Sequence, residues 1–293
     1  MRLFVYPYSS ASVSAKLLAT ALDAKRIRLT NSEYEYREDD IIVNWGNSKC
    51  PYPSLNPASA LQKTINKLAC FRMLREKGFE AVPEYWTDPA DIPQSAFPVF
   101  CRQRLEGCDG AGIVVAETRA DLVPAKLYTK RISGTEYRVT LFQGKVTDIQ
   151  TKAPRSGVPL LSSTIKTYAN GWGFQRLTLH DHIEEIISKC AREALRAAEL
   201  DFAGMDIIYA AGEERAYLLE INSAMGLEGG ALDRFAEAVL SYKARQEASV
   251  PCPPPATQPV PEPSEDPSAG ILEAVHRGDW QAVAMMALQN LSK

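Results

Sequence analysis

The segment that most constrains this chain is a pair of apolar strands carrying acidic side chains. Met205-Asp206-Ile207-Ile208-Tyr209 and Leu218-Leu219-Glu220-Ile221-Asn222 flank a short acidic turn around Gly212. Two strand-forming runs separated by such a turn read as an antiparallel hairpin. Side chains alternate across a strand, so Glu220 and Asn222, two residues apart, share a face. Asp206 on the neighbouring strand can join them. Two carboxylates and an amide oxygen are hard donors, suited to Mg²⁺, which keeps water or phosphate oxygens as its remaining ligands. A solvated acidic face would not need unbroken apolar flanks, and those flanks favour a site.

The rest of the chain bounds what this hairpin can belong to. At 293 residues the chain is long enough for two or three packed lobes. The net charge of -3 gives no overall pull toward nucleic acid or an anionic membrane. No apolar run approaches a membrane span, and Met1–Pro7 reads as a first strand, too short for a signal peptide. Cys50, Cys70, Cys101, Cys108, Cys190 and Cys252 form no CxxC pair. They read as reduced thiols of a cytoplasmic protein.

Along the chain, residues 1–60 read as a small α/β lobe. Leu3–Tyr6 is a strand, and Ser12 caps a helix to Leu22 with Val13, Leu17, Leu18 and Leu22 at helical spacing. Asp40–Gly46 is a buried strand. Leu61–Lys77 reads as one strong helix ending at Gly78. Strands are expected over Phe97–Leu105, Ile113–Ala116, Lys126–Ile132, Glu136–Phe142 and Lys145–Lys152. Asp181–Leu200 and Ala231–Arg245 are amphipathic helices. Residues 61–130 and 131–248 form two further lobes. Residues 249–268 are a Pro-rich tether, and 269–293 are one or two short helices broken at Gly278. That last segment caps its own fold or docks a protein partner.

Gly107-Cys108-Asp109-Gly110-Ala111-Gly112-Ile113 lies between two strands. Its backbone N–H groups can approach phosphate because glycine places no Cβ in the way. It is neither a Walker loop nor a Rossmann turn, since no Lys-Ser/Thr follows and the next element is a strand. By itself it reads first as a tight hairpin. Its place after Arg102 and Arg104 and ahead of the acidic hairpin favours phosphate. Nothing resembles a Ser-His-Asp or Cys-His nucleophile. His180 and His182 sit at the start of a surface helix.

With these segments in order, the chain resembles the ATP-grasp superfamily of carboxylate–amine ligases, closest to the branch that includes the ligase adding glutamate to a ribosomal protein, in a compact phage-type form. The resemblance spans about residues 60–240. It rests on Asn66-Lys67 through Val82-Pro83, Gly107–Glu117, Glu136-Tyr137-Arg138-Val139, Asp201–Ile207 and Leu219–Asn222. It implies an α/β (α+β) fold in which two α+β lobes clamp ATP behind the small N-terminal lobe.

The roles that follow are implied by the resemblance. Lys67 and Arg102 would contact the nucleotide phosphates, Arg102 standing where the family usually has a lysine and offering a fork in place of a point charge. Gly107, Gly110, Gly112 and Ile113 would cover the phosphates. Lys130 and Ile132 would meet adenine through their backbone, and Glu136 would face the ribose or a metal-bound phosphate. Arg138 and Lys152 would stabilise the transferring phosphoryl group, with Asn170 as a further contact. Asp206, Glu220 and Asn222 would hold one or two Mg²⁺, with Mn²⁺ as a substitute. The implied reaction phosphorylates a substrate carboxylate from ATP and displaces the phosphate with an amine. The substrates would be small-molecule or peptide carboxylates and amines, and a homodimer is common in the family. A kinase-type phosphotransferase with the same ATP site and a non-catalytic binding module are the competing readings.

Overall fold

The computed structural model describes residues 1–107, 110–249 and 267–290. Cys108, Asp109, Cys252 and nearly all of the Pro-rich tether lie outside the described residues. The chain divides into two units, Met1–Ala248 and Ser249–Lys293.

The described residues of the first unit form three sheets. Nearest the N-terminus, β1 (Leu3–Pro7), α1 (Val13–Ala21), β2 (Lys25–Arg26) and β3 (Ile41–Trp45) form a parallel three-stranded sheet in the order β2-β1-β3. Ser12 caps α1 by accepting from the Ala15 N–H. Of the apolar spacing read for this helix, Leu18 and Leu22 are buried, whereas Val13 and Leu17 are exposed.

The expected single helix over Leu61–Lys77 is two, α2 (Ala58–Thr64) and α3 (Lys67–Glu76). Asn66 sits between them with an extended backbone, and its side chain accepts from the Ala69 N–H. A capping Asn competes with helix continuation, and an apolar repeat that runs through it hides the break. Ile65 is exposed at this junction.

A four-stranded antiparallel sheet follows, built from β4 (Tyr85–Trp86), β5 (Val99–Arg102), β6 (Ile113–Ala116) and β7 (Leu127–Lys130), in the order β4-β7-β5-β6. The larger sheet contains β8 (Thr135–Phe142), β9 (Lys145–Pro154), β10 (Trp172–Gln175), β11 (Phe202–Ala210) and β12 (Arg215–Asn222), in the order β10-β9-β8-β11-β12. All its neighbours are antiparallel. The short strands β2, β4 and β10 lacked enough alternation to be read from sequence.

One face of the large sheet is core. Tyr137, Val139 and Leu141 of β8 and Met205, Ile207 and Tyr209 of β11 pack under α4 (Asp181–Ala197). That helix buries Ile187, Cys190, Ala191, Ala194 and Leu195, the stripe of one amphipathic face. The opposite face carries Glu136, Arg138 and Asp206 at one end. At the other end Phe202 stacks with Trp45 and with Phe142, and Phe235 of α5 (Gly229–Ser249) meets all three edge-on. This aromatic cluster fixes the N-terminal sheet against the large one. Asn56 adds to that joint: its amide accepts from the Asp201 and Phe202 N–H groups and donates to the Phe202 carbonyl.

The second unit holds α6 (Pro267–His276) and α7 (Trp280–Asn290), with the break at Gly278 as the sequence predicts. Ala274 is buried between them, while Leu272, Trp280 and Met285 are exposed. Among the described residues no helix is long and apolar enough to cross a membrane.

Candidate active site

The hairpin β11–β12 forms as the sequence predicts, with a break in register that decides the chemistry. Asp206 pairs with Glu220, but Ile207 pairs with Leu218, leaving Leu219 as the extra residue of a β-bulge. Leu218, beyond the bulge, lies in the core beneath α4. Strict alternation would put Glu220 on the same face as Leu218. The bulge shifts the parity by one and turns Glu220 to the face that Asp206 occupies. It also presents the Leu219 carbonyl to Lys67, whose ammonium donates to it at 2.8 Å.

Asp206 lies between β12 and β8, opposite Arg138 in the β8 ladder. The guanidinium grips the carboxylate with both prongs, Nε to Oδ1 at 2.7 Å and the terminal nitrogen to Oδ2 at 2.8 Å. Both side chains are 14% exposed. A Cβ on Gly204 would sit 3.2 Å from Met225 Cβ, with Arg138 Cδ beyond at 3.4 Å. Burial alone would raise the Asp206 carboxyl, but the charge and hydrogen bonds of Arg138, with Lys152 and Lys67 beyond, hold it below the usual value. Burial works against the Arg138 charge too, and Asp206 overcomes it, leaving the guanidinium raised.

Asp206 and Glu220 line a cavity of about 370 Å³ between the four-stranded and five-stranded sheets. Lys67, Arg102, Lys152 and Lys166 reach it from four different elements. Burial lowers both Lys67 and Arg102, opposed in each case by Glu220. Arg102 donates to Thr129 Oγ1 at 3.2 Å. Glu136 is clamped by Lys152 at 3.2 Å and Lys166 at 3.3 Å. Phe174 lies under two of the cations, with Arg138 Cζ 4.1 Å and Lys152 Nζ 5.5 Å from its ring centre. Gly110 and Ile113 of the glycine loop, and Lys130 and Ile132 at the crossing between sheets, complete the lining read from sequence. Lys130 turns its ammonium outward to Glu84 at 2.7 Å, so its backbone is what remains for the cavity. A Cβ on Gly110 would stand 2.8 Å from Ile165 Cγ2, and its φ is +69°, so the glycine loop meets the loop over residues 159–171 only through glycine.

A second cavity of about 350 Å³ adjoins the first and shares Lys67, Phe71, Leu219 and Glu220 with it. Asn222 and Gly107 line this one, with Tyr8 and Gly46 from the N-terminal sheet. Asn222 is thus on the same sheet face as Glu220, paired with Gly204. Three of the residues read from sequence line neither cavity, and the first of them, Arg138, reaches the site only through its pair with Asp206. Gly112 packs against Gln103 and Arg104. Asn170 donates its amide to the Ile165 carbonyl at 2.7 Å and braces the 159–171 loop.

Among the described residues no group of three His, Cys, Asp or Glu side chains gathers to hold a metal. The hairpin instead offers two carboxylates and an amide. Both Asp206 oxygens accept from Arg138, yet each keeps a second lone pair. Glu220 is 41% exposed toward the cavities, and the Asn222 amide nitrogen is buried with no partner, so no protein bond fixes which way that amide turns. The set fits a hard divalent cation supported from one side by Arg138.

Lys166 and Phe174 escaped the sequence reading. Lys166 sits in a loop with no periodicity, and Phe174 in a four-residue strand. An aromatic at alternate spacing after Trp172 was the only signal for the latter.

No protein-family model matches this chain, and no curated protein matches it in sequence. Solved structures match its fold. The D-alanine–D-alanine ligase from Bacillus anthracis superposes with a TM-score of 0.57 at 14% identity, covering 84% of this chain and 99% of that one. The ATP-grasp ligase PsnB, solved with a minimal precursor, gives 0.60 at 11% identity, covering 82% and 98%. The RiPP-associated ATP-grasp ligase of Chryseobacterium gregarium, solved with ADP and a leader and core peptide, gives 0.52 at 14% identity, covering 84% and 97%. The chain therefore has the ATP-grasp fold.

Proposed function

We infer that this protein is an ATP- and Mg²⁺-dependent ligase that joins a carboxylate to an amine. The observation that carries the reading is the convergence of Asp206, Glu220, Lys67 and Lys152 on a cavity between two antiparallel sheets, with Arg138 paired to Asp206, in a fold shared with ligases. In the first step a substrate carboxylate oxygen attacks the terminal phosphorus of ATP, the bond to the ADP oxygen breaks, and an acyl phosphate forms. In the second, an amine attacks the acyl carbon, and phosphate leaves with its bonding electron pair as the nitrogen gives up a proton. Neither step needs a side-chain nucleophile. What the protein supplies is orientation and fixed positive charge in a site screened from water.

Each side chain takes a part from its position. Lys67 and Arg102, desolvated and drawn toward Glu220, are poised for phosphate oxygens. Lys152 and Lys166 exchange Glu136 for the anionic substrate. Arg138 holds Asp206 in place and lends its charge to the phosphoryl group. Asp206, Glu220 and Asn222 would hold the Mg²⁺, which supplies further neutralisation of the phosphate charge. The cavity beside Asn222 and Tyr8 is where the acceptor would enter. Within the ligases, a peptide or protein acceptor is favoured by the neighbours solved with precursor peptides. It is also in keeping with the resemblance to the ribosomal-protein glutamate ligase branch.

The test is incubation of the full chain with ATP, Mg²⁺ and pools of amino acids and short peptides. ADP, free phosphate and product masses are then measured. Equal release of ADP and phosphate with a new amide, lost in Glu220→Gln, is the expected result. Calorimetry showing no ATP binding, or phosphate appearing on a hydroxyl acceptor with none free, would overturn the reading.

A further inference from the structure

A cavity larger than the two just described lies away from that site and shares no residue with it. It measures about 980 Å³ and opens on the N-terminal sheet, between the start of β1, the segment from Leu22 to Arg28, the loop from Ser32 to Arg37, and α5. Its floor is apolar: Leu3, Phe4, Leu22 and Ile27 are all buried. Leu240 on α5 lines it and remains 42% exposed.

Its walls are charged and unbalanced. Six cationic side chains line it against three acidic ones, Asp23, Glu33 and Glu35, on a chain whose net charge is -3. Arg2 is spent on Asp40 at 2.7 Å and Lys243 on Glu247 at 2.9 Å. Lys25, Arg26, Arg28 and Arg37 have no carboxylate partner among the described residues, and all four are exposed. An apolar floor beneath unpaired cations is chemistry that a surface needing only to be soluble does not require.

We propose that this groove docks an extended peptide rich in Asp and Glu, with intervening apolar side chains. The carboxylates meet Lys25, Arg28 and Arg37, and the apolar side chains settle against Leu240 and the floor. A strand-like peptide alternates its side chains, which matches a groove with cations on its rim and hydrocarbon beneath. A nucleic acid fits less well. The three acids interrupt any phosphate track. The aromatic rings at the groove are also taken: Tyr34 packs on Phe4 at 4.7 Å and on Tyr52 at 5.1 Å, and donates its hydroxyl to Asp40. Arg2 also lies over the Phe4 and Tyr34 rings, so these aromatics are engaged within the protein and are not set out as a stacking platform. The docking is independent of the ligase reading, because it is read as binding alone.

The experiment uses the full chain without nucleotide and a fluorescein-labelled peptide of alternating Glu and Val, read by anisotropy. Control peptides carry Ser or Lys in place of Glu, and a labelled single-stranded oligonucleotide forms a separate arm. Saturable binding of the Glu peptide that weakens with salt is expected, with the Ser and Lys peptides binding far more weakly. The triple variant Lys25→Glu, Arg28→Glu, Arg37→Glu should lose about thirtyfold in affinity with an unchanged melting temperature, since its three sites are exposed. Leu240→Asp, on a different element, should weaken the same peptide. Equal binding of the Ser peptide, tighter binding of the oligonucleotide, full affinity in the triple variant, or no binding of the Glu peptide would each overturn the proposal.

Discussion

Replacing Arg138 by Met isolates the electrostatics of the site. Met keeps much of the volume and removes the charge. Asp206 would then be a carboxylate 14% exposed with its two strongest hydrogen bonds gone. Removing one partner of a buried pair costs about 3–5 kcal/mol. Lys152 and Lys67 still face Asp206, so the lower end, about 3 kcal/mol, is expected at neutral pH.

The loss should depend on pH with a defined sign. In the native protein the Asp206 carboxyl lies below its unfolded value of 3.8. Its contribution is therefore fully present above that value and is lost as pH falls through the lower, folded one. Without Arg138, burial dominates and the folded-state carboxyl moves upward. The variant's carboxyl then favours folding at low pH and penalises it as pH rises through the raised value. The gap between native protein and variant should shrink on acidification. Urea unfolding followed by tryptophan fluorescence and circular dichroism, at about pH 4 and about pH 7, measures both differences. The pair Arg138→Met with Asp206→Leu should recover most of the stability, because no charge is stranded. An equal loss at both pH values, or no recovery in the double variant, would refute the reasoning.

Three further outcomes are expected. Phe174→Leu should weaken ATP binding about three- to tenfold while leaving the melting temperature nearly unchanged, and Phe174→Tyr should restore it, because the ring lies under Arg138 and Lys152; calorimetric titration with Mg²⁺ and ATP reads this. Asn56→Ala should cost about 3 kcal/mol in chemical denaturation, since a fully buried amide would abandon three hydrogen bonds at the joint between sheets. Gly134→Ala should cost about 2–3 kcal/mol in the same measurement, because the new Cβ would stand 2.2 Å from the Tyr209 carbonyl oxygen.

Much of the architecture could be read from the chain because it rests on local patterns. The stripe on α4, the alternation along β8 and β11, the Ser12 cap and the break at Gly278 are each determined within one element. The split between α2 and α3 was less visible. The apolar repeat continues across Asn66, and only its capping hydrogen bond shows that the helix restarts. Strands of two to four residues carry too few side chains for a periodic signal, so β10 and its Phe174 went unread.

By itself the sequence determined which groups the hairpin carries and that Glu220 and Asn222 share a face, because strand geometry acts over two residues. It could not decide which face. The bulge at Leu219 turns Glu220 away from the core that holds Leu218, and that depends on pairing with β11. Nor could it match Arg138 with Asp206, 68 positions apart, or bring Lys166 to Glu136 across a loop. Those partnerships come from strand order and lobe packing, which set the distances between groups that the chain keeps apart.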